Sequence, residues 1–289
     1  MMKSTLRRKL LRKVFNNRAM LKIRPIQPVE FPCLKDIAPP EWNTDLSVTF
    51  SFHYGYSYYY PIIAELDGRI VGCAQGLLTG ASGWLGNIVV RPECRGHGIG
   101  KKLTSNLIEF FRAKGCHSQI LTATTLGEPI YRKLGFVEIS RYIFLRRAEP
   151  LTPKPIPNVR RAREKDLPAI LALDREATGE ERAPFLCRFF GDAWVYSESQ
   201  DAEIEGFYLP ELRDGPIIAS TARAWRALLQ SKLGRGKTFL VVPKENAASL
   251  KFLKKVGFEE TGSAPRMVLG EEVNWKPQWV FSRGAGYCG

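Results

Sequence analysis

Two apolar runs, Pro61 to Leu66 and Arg69 to Leu78, flank the dipeptide Asp67-Gly68. Asp-Gly readily takes the positive φ angles of a two-residue turn, so the pattern predicts a β-hairpin. A third run, Trp84 to Val90, follows a short turn and predicts another strand. The spacing then becomes helical: Ile99, Leu103, Leu107, Phe110 and Phe111 fall on one face of a helix predicted over Gly98 to Ala113. A strand (Gln119 to Ala123), a short helix (Gly127 to Leu134) and a strand (Phe136 to Arg146) complete the series. An antiparallel meander followed by β-α-β-α-β predicts an α/β fold with a mixed sheet, α+β in its pairing. Upstream, Pro28 to Ile37 reads as a helix. Val48 to Tyr60 puts Phe50, Phe52, Tyr54, Tyr56, Tyr58 and Tyr60 on one side, with Tyr59 off-phase, and predicts a strand or extended loop with an aromatic face.

Four prolines at 150, 153, 155 and 157 interrupt both kinds of pattern, because each removes a backbone donor and favours extended chain. Beyond them the order begins again. Lys22-Ile23-Arg24-Pro25 and Asn158-Val159-Arg160-Arg161 each precede a predicted helix, which in the second half runs from Glu164 to Glu176. Late in each half a helix ends in Gly-Phe and a strand follows, at Tyr131 to Phe136 and at Phe252 to Phe258. Glycine there supplies the left-handed cap. The repeat is far too long for a solenoid and predicts a duplicated domain.

Composition narrows the class. The chain has 289 residues, 44% hydrophobic and 25% charged, which suits a globular protein and excludes collagen-like and disulfide-scaffold chains. The net charge of +14 suggests an acidic partner, yet residues 1–19 hold seven basic side chains and no acidic one. Half the excess therefore lies in a short leader. Leu6, Leu10, Val14 and Phe15 lie near one helical face of it, and three readings stay open: a helix that contacts RNA or a membrane surface, a mitochondrial presequence, or a solvated basic tail ahead of a start at Met20. No apolar run approaches the roughly 20 residues that span a bilayer. Six scattered cysteines and three histidines form no metal-ligand spacing, so no metal is expected and a reducing, cytoplasmic compartment fits best.

The chemistry concentrates after the third strand. Arg91-Pro92-Glu93-Cys94-Arg95-Gly96-His97-Gly98-Ile99-Gly100-Lys101-Lys102 carries three alternate glycines into a helix start. Glycines let successive N–H groups close on an anion, and the helix adds its unpaired N–H groups and positive dipole end. A dinucleotide fold would need G-x-G-x-x-G and an acidic residue about 20 positions on, and a P-loop would need Ser or Thr after Gly-Lys. Gly96 begins G-x-G-x-G, and Lys101 is followed by Lys102, so neither pattern fits.

Arg95-Gly96-His97-Gly98-Ile99-Gly100, after Val90-Arg91-Pro92, resembles the acyl-CoA motif of the GCN5-related N-acetyltransferases. Tyr131-Arg132-Lys133-Leu134-Gly135-Phe136 resembles that family's closing motif at the expected distance. The resemblance implies tandem domains of that fold, with acetyl-CoA as co-substrate for direct acetyl transfer to an amine. It implies that Ile88, Val89 and Val90 lend backbone bonds to the pantetheine arm and acetyl carbonyl. Arg95, Gly96, His97, Gly98, Ile99, Gly100 and Lys101 would hold the diphosphate, and Tyr131 would protonate the leaving thiolate. Two positions depart from the motif: its Asn is Thr124, which can still hydrogen-bond and is kept as a cofactor residue, and its Ala is Gly127. No residue declares itself as base; Glu65 and His53 are candidates, with a water wire as the alternative.

The second half keeps an Asn, at 246, but has Leu253 where the first has Tyr131, and Asp214 to Thr221 enters its helix without the glycine motif. The expected organisation is a basic leader (1–19), a catalytic domain (20–149), a proline-rich linker (150–157) and a non-catalytic second domain (158–289). The partner is an amine acceptor of a small molecule or protein, for which the aromatic stretch offers a wall. No nucleic-acid or membrane partner is assigned, and a homodimer is compatible. The competing reading is a protein that binds CoA as a ligand or signal without turnover.

Overall fold

The computed structural model describes residues 20–199 and 202–289; the basic leader lies outside them. The first half runs β1 (Leu21–Pro25), α1 (Leu46–His53), β2 (Tyr59–Leu66), β3 (Arg69–Thr79), β4 (Ser82–Val90), α2 (Ile99–Ala113), β5 (Ser118–Thr122), α3 (Glu128–Lys133) and β6 (Val137–Arg146). Asp67 and Gly68 both take positive φ, +48° and +79°, and join β2 to β3 as the Asp-Gly signal predicts. Helix α2 buries Ile99, Leu103, Leu107 and Phe111 against the sheet. The approach is close because the sheet offers glycine: a Cβ at Gly76 would stand 2.8 Å from Phe111 Cζ, and one at Gly83 would overlap the same ring. Burying a ring of that size stabilises the fold by about 1.5–3 kcal/mol.

Two expectations upstream are corrected. Pro28 to Ile37 is a 3-10 turn over Pro28–Leu34 rather than an α-helix; Pro32 inside it has no N–H to give an α-helical bond. Of the aromatic stretch only Tyr59 and Tyr60 enter a strand, β2, and its first part is α1. The Asp45 carboxylate accepts from the Ser47 N–H at 2.8 Å and caps the helix, which buries Leu46, Thr49, Phe50 and His53 at helical spacing. An extended Tyr54 and Gly55, at φ +86°, end it. The alternation breaks up in the helix, where Phe50 is buried and Phe52 exposed.

The second half runs β7 (Val159–Arg161), α4 (Leu167–Thr178), α5 (Ala183–Leu186), β8 (Trp194–Tyr196), β9 (Gly206–Tyr208), β10 (Ile217–Ala219), α6 (Ala222–Gly234), β11 (Phe239–Pro243), α7 (Ala247–Lys255), β12 (Glu259–Gly270) and β13 (Val280–Ser282). Between the halves, residues 151–156 form neither helix nor strand. The halves nevertheless share one eight-stranded sheet, ordered β1-β2-β3-β4-β5-β12-β6-β11. Strand β12 of the second half pairs with β5 of the first, and β6 of the first pairs with β11 of the second. At the centre β6 and β12 run antiparallel to each other. Each half thus hands its long closing strand to the other, in a pseudo-twofold exchange. A five-stranded sheet, β13-β10-β9-β8-β7, belongs to the second half.

A core of apolar side chains continues across the junction, with Tyr58, Leu77, Trp84 and Ile120 from one half and Phe185, Phe189, Val195 and Phe207 from the other. Charged groups are buried within it. Glu180 accepts from Thr79 Oγ1 and Trp84 Nε1, both at 2.7 Å, and Arg182 pairs with Asp174 at 2.5 Å. The Arg266 guanidinium lies between the rings of Trp84 and Trp275, 4.6 and 4.3 Å from their centroids.

Candidate active site

Strands β4 and β5 pair in parallel from Ser82–Ser118 to Leu85–Leu121 and then part. Beyond Leu85, β4 keeps its neighbour only on the β3 side. The cause is local. Cys73 pairs with Val89 and Gln75 with Gly86, so β4 carries one extra residue there, and Asn87 takes φ +48°. Such a bulge bends the strand and increases its twist. The β5 side of Ile88, Val89 and Val90 therefore has no strand paired to it.

The loop at the end of β4 turns on two glycines. Gly96 and Gly98 sit at φ +82° and +76°, and a Cβ on either would meet nothing within 4 Å, so backbone conformation rather than crowding calls for glycine. Gly98 caps α2 with no side-chain bond, leaving the first-turn N–H groups to an outside acceptor. Arg95, Lys101 and Lys102 are exposed around it, and Arg95 Nε donates to the Val90 carbonyl at 3.0 Å, which ties the loop to the strand end. Ile99, the first residue of α2, is buried, so it offers the loop only its backbone. A Cβ at Gly100 would stand 3.6 Å from Ile130 and 3.8 Å from Val90 in ordinary contact; here α2, α3 and β4 converge.

Tyr131 follows on α3, in the same core cluster as Leu85, Leu121 and Ala123. It is 8% exposed, and its ring meets Phe136 edge-on at 6.0 Å. Burial pushes its phenol well above the usual value, so it is protonated at neutral pH and holds that proton more tightly than a free phenol does. Gly127 explains itself: a Cβ there would stand 2.7 Å from Tyr131 Cε2. Thr124 Oγ1 accepts from the Gly127 N–H at 3.2 Å in the turn that leads into α3.

The base candidates part company. Glu65 is bound to Arg24, with contacts at 2.5 and 2.8 Å, and Arg24 also holds Glu30. It is a structural ion pair on β2, two strands from β4. His53 is 1% exposed among Tyr58, Tyr59, Phe185, Phe189 and Tyr287, with Nδ1 3.3 Å from the Tyr58 hydroxyl. Burial, and then the charge of Arg188, hold it down at about 4, so it is neutral at pH 7.

Several residues of this face escape sequence reasoning. Gln75 accepts from the Tyr59 hydroxyl at 2.8 Å, Arg188 lies over Phe52 and Tyr56 at 4.5 and 4.3 Å, and a Cβ on Gly86 of β4 would overlap Tyr287. Arg188 and Tyr287 come from the second half, and no local motif marks them. The aromatic stretch thus packs against the other half, as Phe52 with Phe189 at 5.6 Å and Tyr58 with Phe185 at 5.9 Å show.

In the second half the corresponding cleft, between β10 and β11, is not open. Strand β13 lies in it, pairing with β10 while the Arg283 N–H donates to the Val241 carbonyl of β11 at 2.9 Å. Asn246, the motif asparagine, donates to the carbonyls of Val280 and Gln278 at 2.8 and 3.1 Å. Two family models agree with this architecture, each described as an acetyltransferase (GNAT) domain, one over residues 57–138 and the other over residues 170–282. The chain belongs to the GNAT acetyltransferase family.

A glucosamine 6-phosphate N-acetyltransferase of Trypanosoma brucei brucei is 41% identical over 76 residues, 24% of this chain and 52% of that protein. An uncharacterized N-acetyltransferase of Methanocaldococcus jannaschii is 32% identical over 78 residues, 26% of this chain and 50% of that protein. The chain spans about half the length of the curated relatives it matches. Among solved structures, a putative acetyltransferase from Pyrococcus horikoshii superposes with a TM-score of 0.79 at 21% identity, over 93% of this chain and 96% of that one. A tandem GNAT protein from the clavulanic acid biosynthesis pathway gives 0.61 at 12% identity, over 87% and 98%. Both likenesses show the fold, and the second is with a protein described as a tandem GNAT. Acetyltransferases of this fold use acetyl-CoA. Among the described residues no cluster of three His, Cys, Asp or Glu is placed to hold a metal, and no helix is long and apolar enough to cross a membrane.

Proposed function

We propose that this chain is an acetyl-CoA-dependent N-acetyltransferase, moving an acetyl group directly to a primary amine of a small molecule or protein. The observation that supports it most is the parting of β4 from β5 beyond Leu85, with the Gly96–Gly98 loop at its end and Tyr131 in the core beside it. The residues fit the co-substrate: a free strand edge, a glycine loop in open space and a helix start with no side-chain cap.

Bound there, acetyl-CoA supplies a thioester-activated acetyl group. The edge of Ile88 to Val90 holds the pantetheine arm and directs N–H toward the acetyl oxygen as charge develops on it. Arg95, Gly96, His97, Gly98, Ile99, Gly100 and Lys101 hold the diphosphate, and Thr124 frames the opening on the α3 side. Tyr131 gives its proton to the departing sulfur. With Glu65 ion-paired and His53 enclosed by rings, the amine loses its proton through water. The second half, 158–289, serves as a non-catalytic partner that walls the acceptor face with Arg188 and Tyr287. All six cysteines are free thiols, which supports a cytoplasmic setting.

The test is thiol release from acetyl-CoA with a panel of amines, headed by glucosamine 6-phosphate because of the relatives that act on it. Turnover that falls roughly 10²–10⁴-fold in Tyr131→Phe is expected, the range for a lost general acid. Tight CoA binding with no thiol release on any amine would instead favour the ligand-binding reading.

A further inference from the structure

We infer that the chain takes acyl-CoA in one cleft only, because the segment Val280–Ser282 is built into the second cleft as a permanent intramolecular ligand. The inference rests on the reading of the first cleft as the CoA site. The two clefts differ in what meets the polar groups along their walls. In the first, the β5 side of Ile88 to Val90 has no strand beside it. In the second, Ile217 and Ile218 of β10 pair with Ser282 and Val280, and the Val241 carbonyl of β11 takes the Arg283 N–H.

Side chains fasten the insert as well. From α7, Asn246 donates to the Val280 and Gln278 carbonyls. From α6, the buried Lys232 ammonium donates to Ser282 Oγ at 2.6 Å, to the Gly215 carbonyl at 2.7 Å and to the Asp214 carbonyl. Arg283 Nε donates to Asp214 Oδ2 at 3.0 Å. Phe281 stacks on Trp225 with centroids 5.0 Å apart and planes 9° from parallel. An acyl-CoA arm would have to break these bonds and take from the buried Lys232 one of its three acceptors, Ser282 Oγ, which makes exchange of β13 for ligand unfavourable. At the entrance to α6, Thr221 accepts from the Ala224 N–H with its own side chain, occupying a helix start that α2 leaves uncapped.

Amide hydrogen exchange of the full chain, without ligand and with CoA, tests this together with binding stoichiometry by calorimetry. Without ligand, the amides of Phe281 to Arg283 are expected to exchange as slowly as those of β11, and Asn246→Ala is expected to speed them about tenfold. Rapid exchange there in the wild type would overturn the inference whatever CoA does. With CoA, one equivalent and new protection confined to Ile88 to Lys102 is the expected outcome. Two equivalents, with protection lost in β13, would overturn the inference. Slow exchange in β13 together with no response to CoA anywhere would remove the cofactor reading and leave the built-in ligand standing.

Discussion

Trp84 Nε1 of β4 donates to Glu180 Oε2 at 2.7 Å, joining residues 96 positions apart in different halves. The carboxylate is buried, and burial raises its pKa, while Arg182, Arg266 and the Thr79 and Trp84 bonds act the other way. Removing one member of such a group leaves the others charged or unpaired in the core. Glu180→Ala is expected to lose about 3–5 kcal/mol, read from the urea midpoint at unchanged slope.

The exchanged strands couple the halves. A fragment of residues 20–149 has β6 without β11 or β12 beside it and β5 without its antiparallel neighbour. Isolated, it is expected to aggregate or show poorly dispersed NMR spectra, and the whole chain to unfold in one transition seen alike by fluorescence and circular dichroism. Two separate transitions would show that the halves are independent.

Gly127 and Tyr131 form one unit. In Gly127→Ala the new methyl meets the ring at 2.7 Å, and the ring or α3 must shift. The expected cost is about 1–3 kcal/mol, the range for overpacking, with thiol release slowed more than acetyl-CoA binding is weakened. Steady-state kinetics separate the two: a raised KM at unchanged kcat would place Gly127 in binding alone.

The glycine loop is strained for any other residue. Gly98→Ala keeps its space but forces a left-handed backbone costing about 1–2 kcal/mol, so a several-fold to tenfold rise in the Kd for CoA is expected. Calorimetry in parallel with thermal melting distinguishes a lost anion site from a destabilised helix.

His53 predicts a pH dependence with a definite sign. Its folded pKa of about 4 lies below the ordinary 6.5, so between these values the unfolded chain binds a proton that the folded chain does not. Stability is full above pH 6.5 and is lost as pH falls toward 4, by roughly 3 kcal/mol from this group. His53→Phe should flatten that part of the slope in urea titrations at pH 7, 5.5 and 4.5. An unchanged slope would assign the loss to carboxylates.

How much of this was legible follows from the range of the forces involved. The hairpin at Asp67-Gly68, strands β2 to β5, helix α2 and the glycine loop rest on local φ preferences and apolar period, and these act within a few residues. The resemblance carried by Arg95 to Gly100 and by Tyr131 to Phe136 is local in the same sense. What is set by contacts between distant residues was hidden. Period two across Val48 to Tyr60 lost to a helix once Asp45 capped it and the core took Phe50 and His53. The proline-rich linker marks a break along the chain but not in the sheet, because strand pairing ignores sequence distance: β6 and β12 change partners across it. Sequence alone thus determined the family and the glycine loop, and marked Tyr131 as the candidate acid. Only the tertiary structure decided which cleft keeps a free strand edge and which is filled by β13, since that outcome depends on hydrogen bonds to β13 from Asn246 and Lys232, the latter 50 residues away, and from the adjoining Arg283 to Val241 and Asp214.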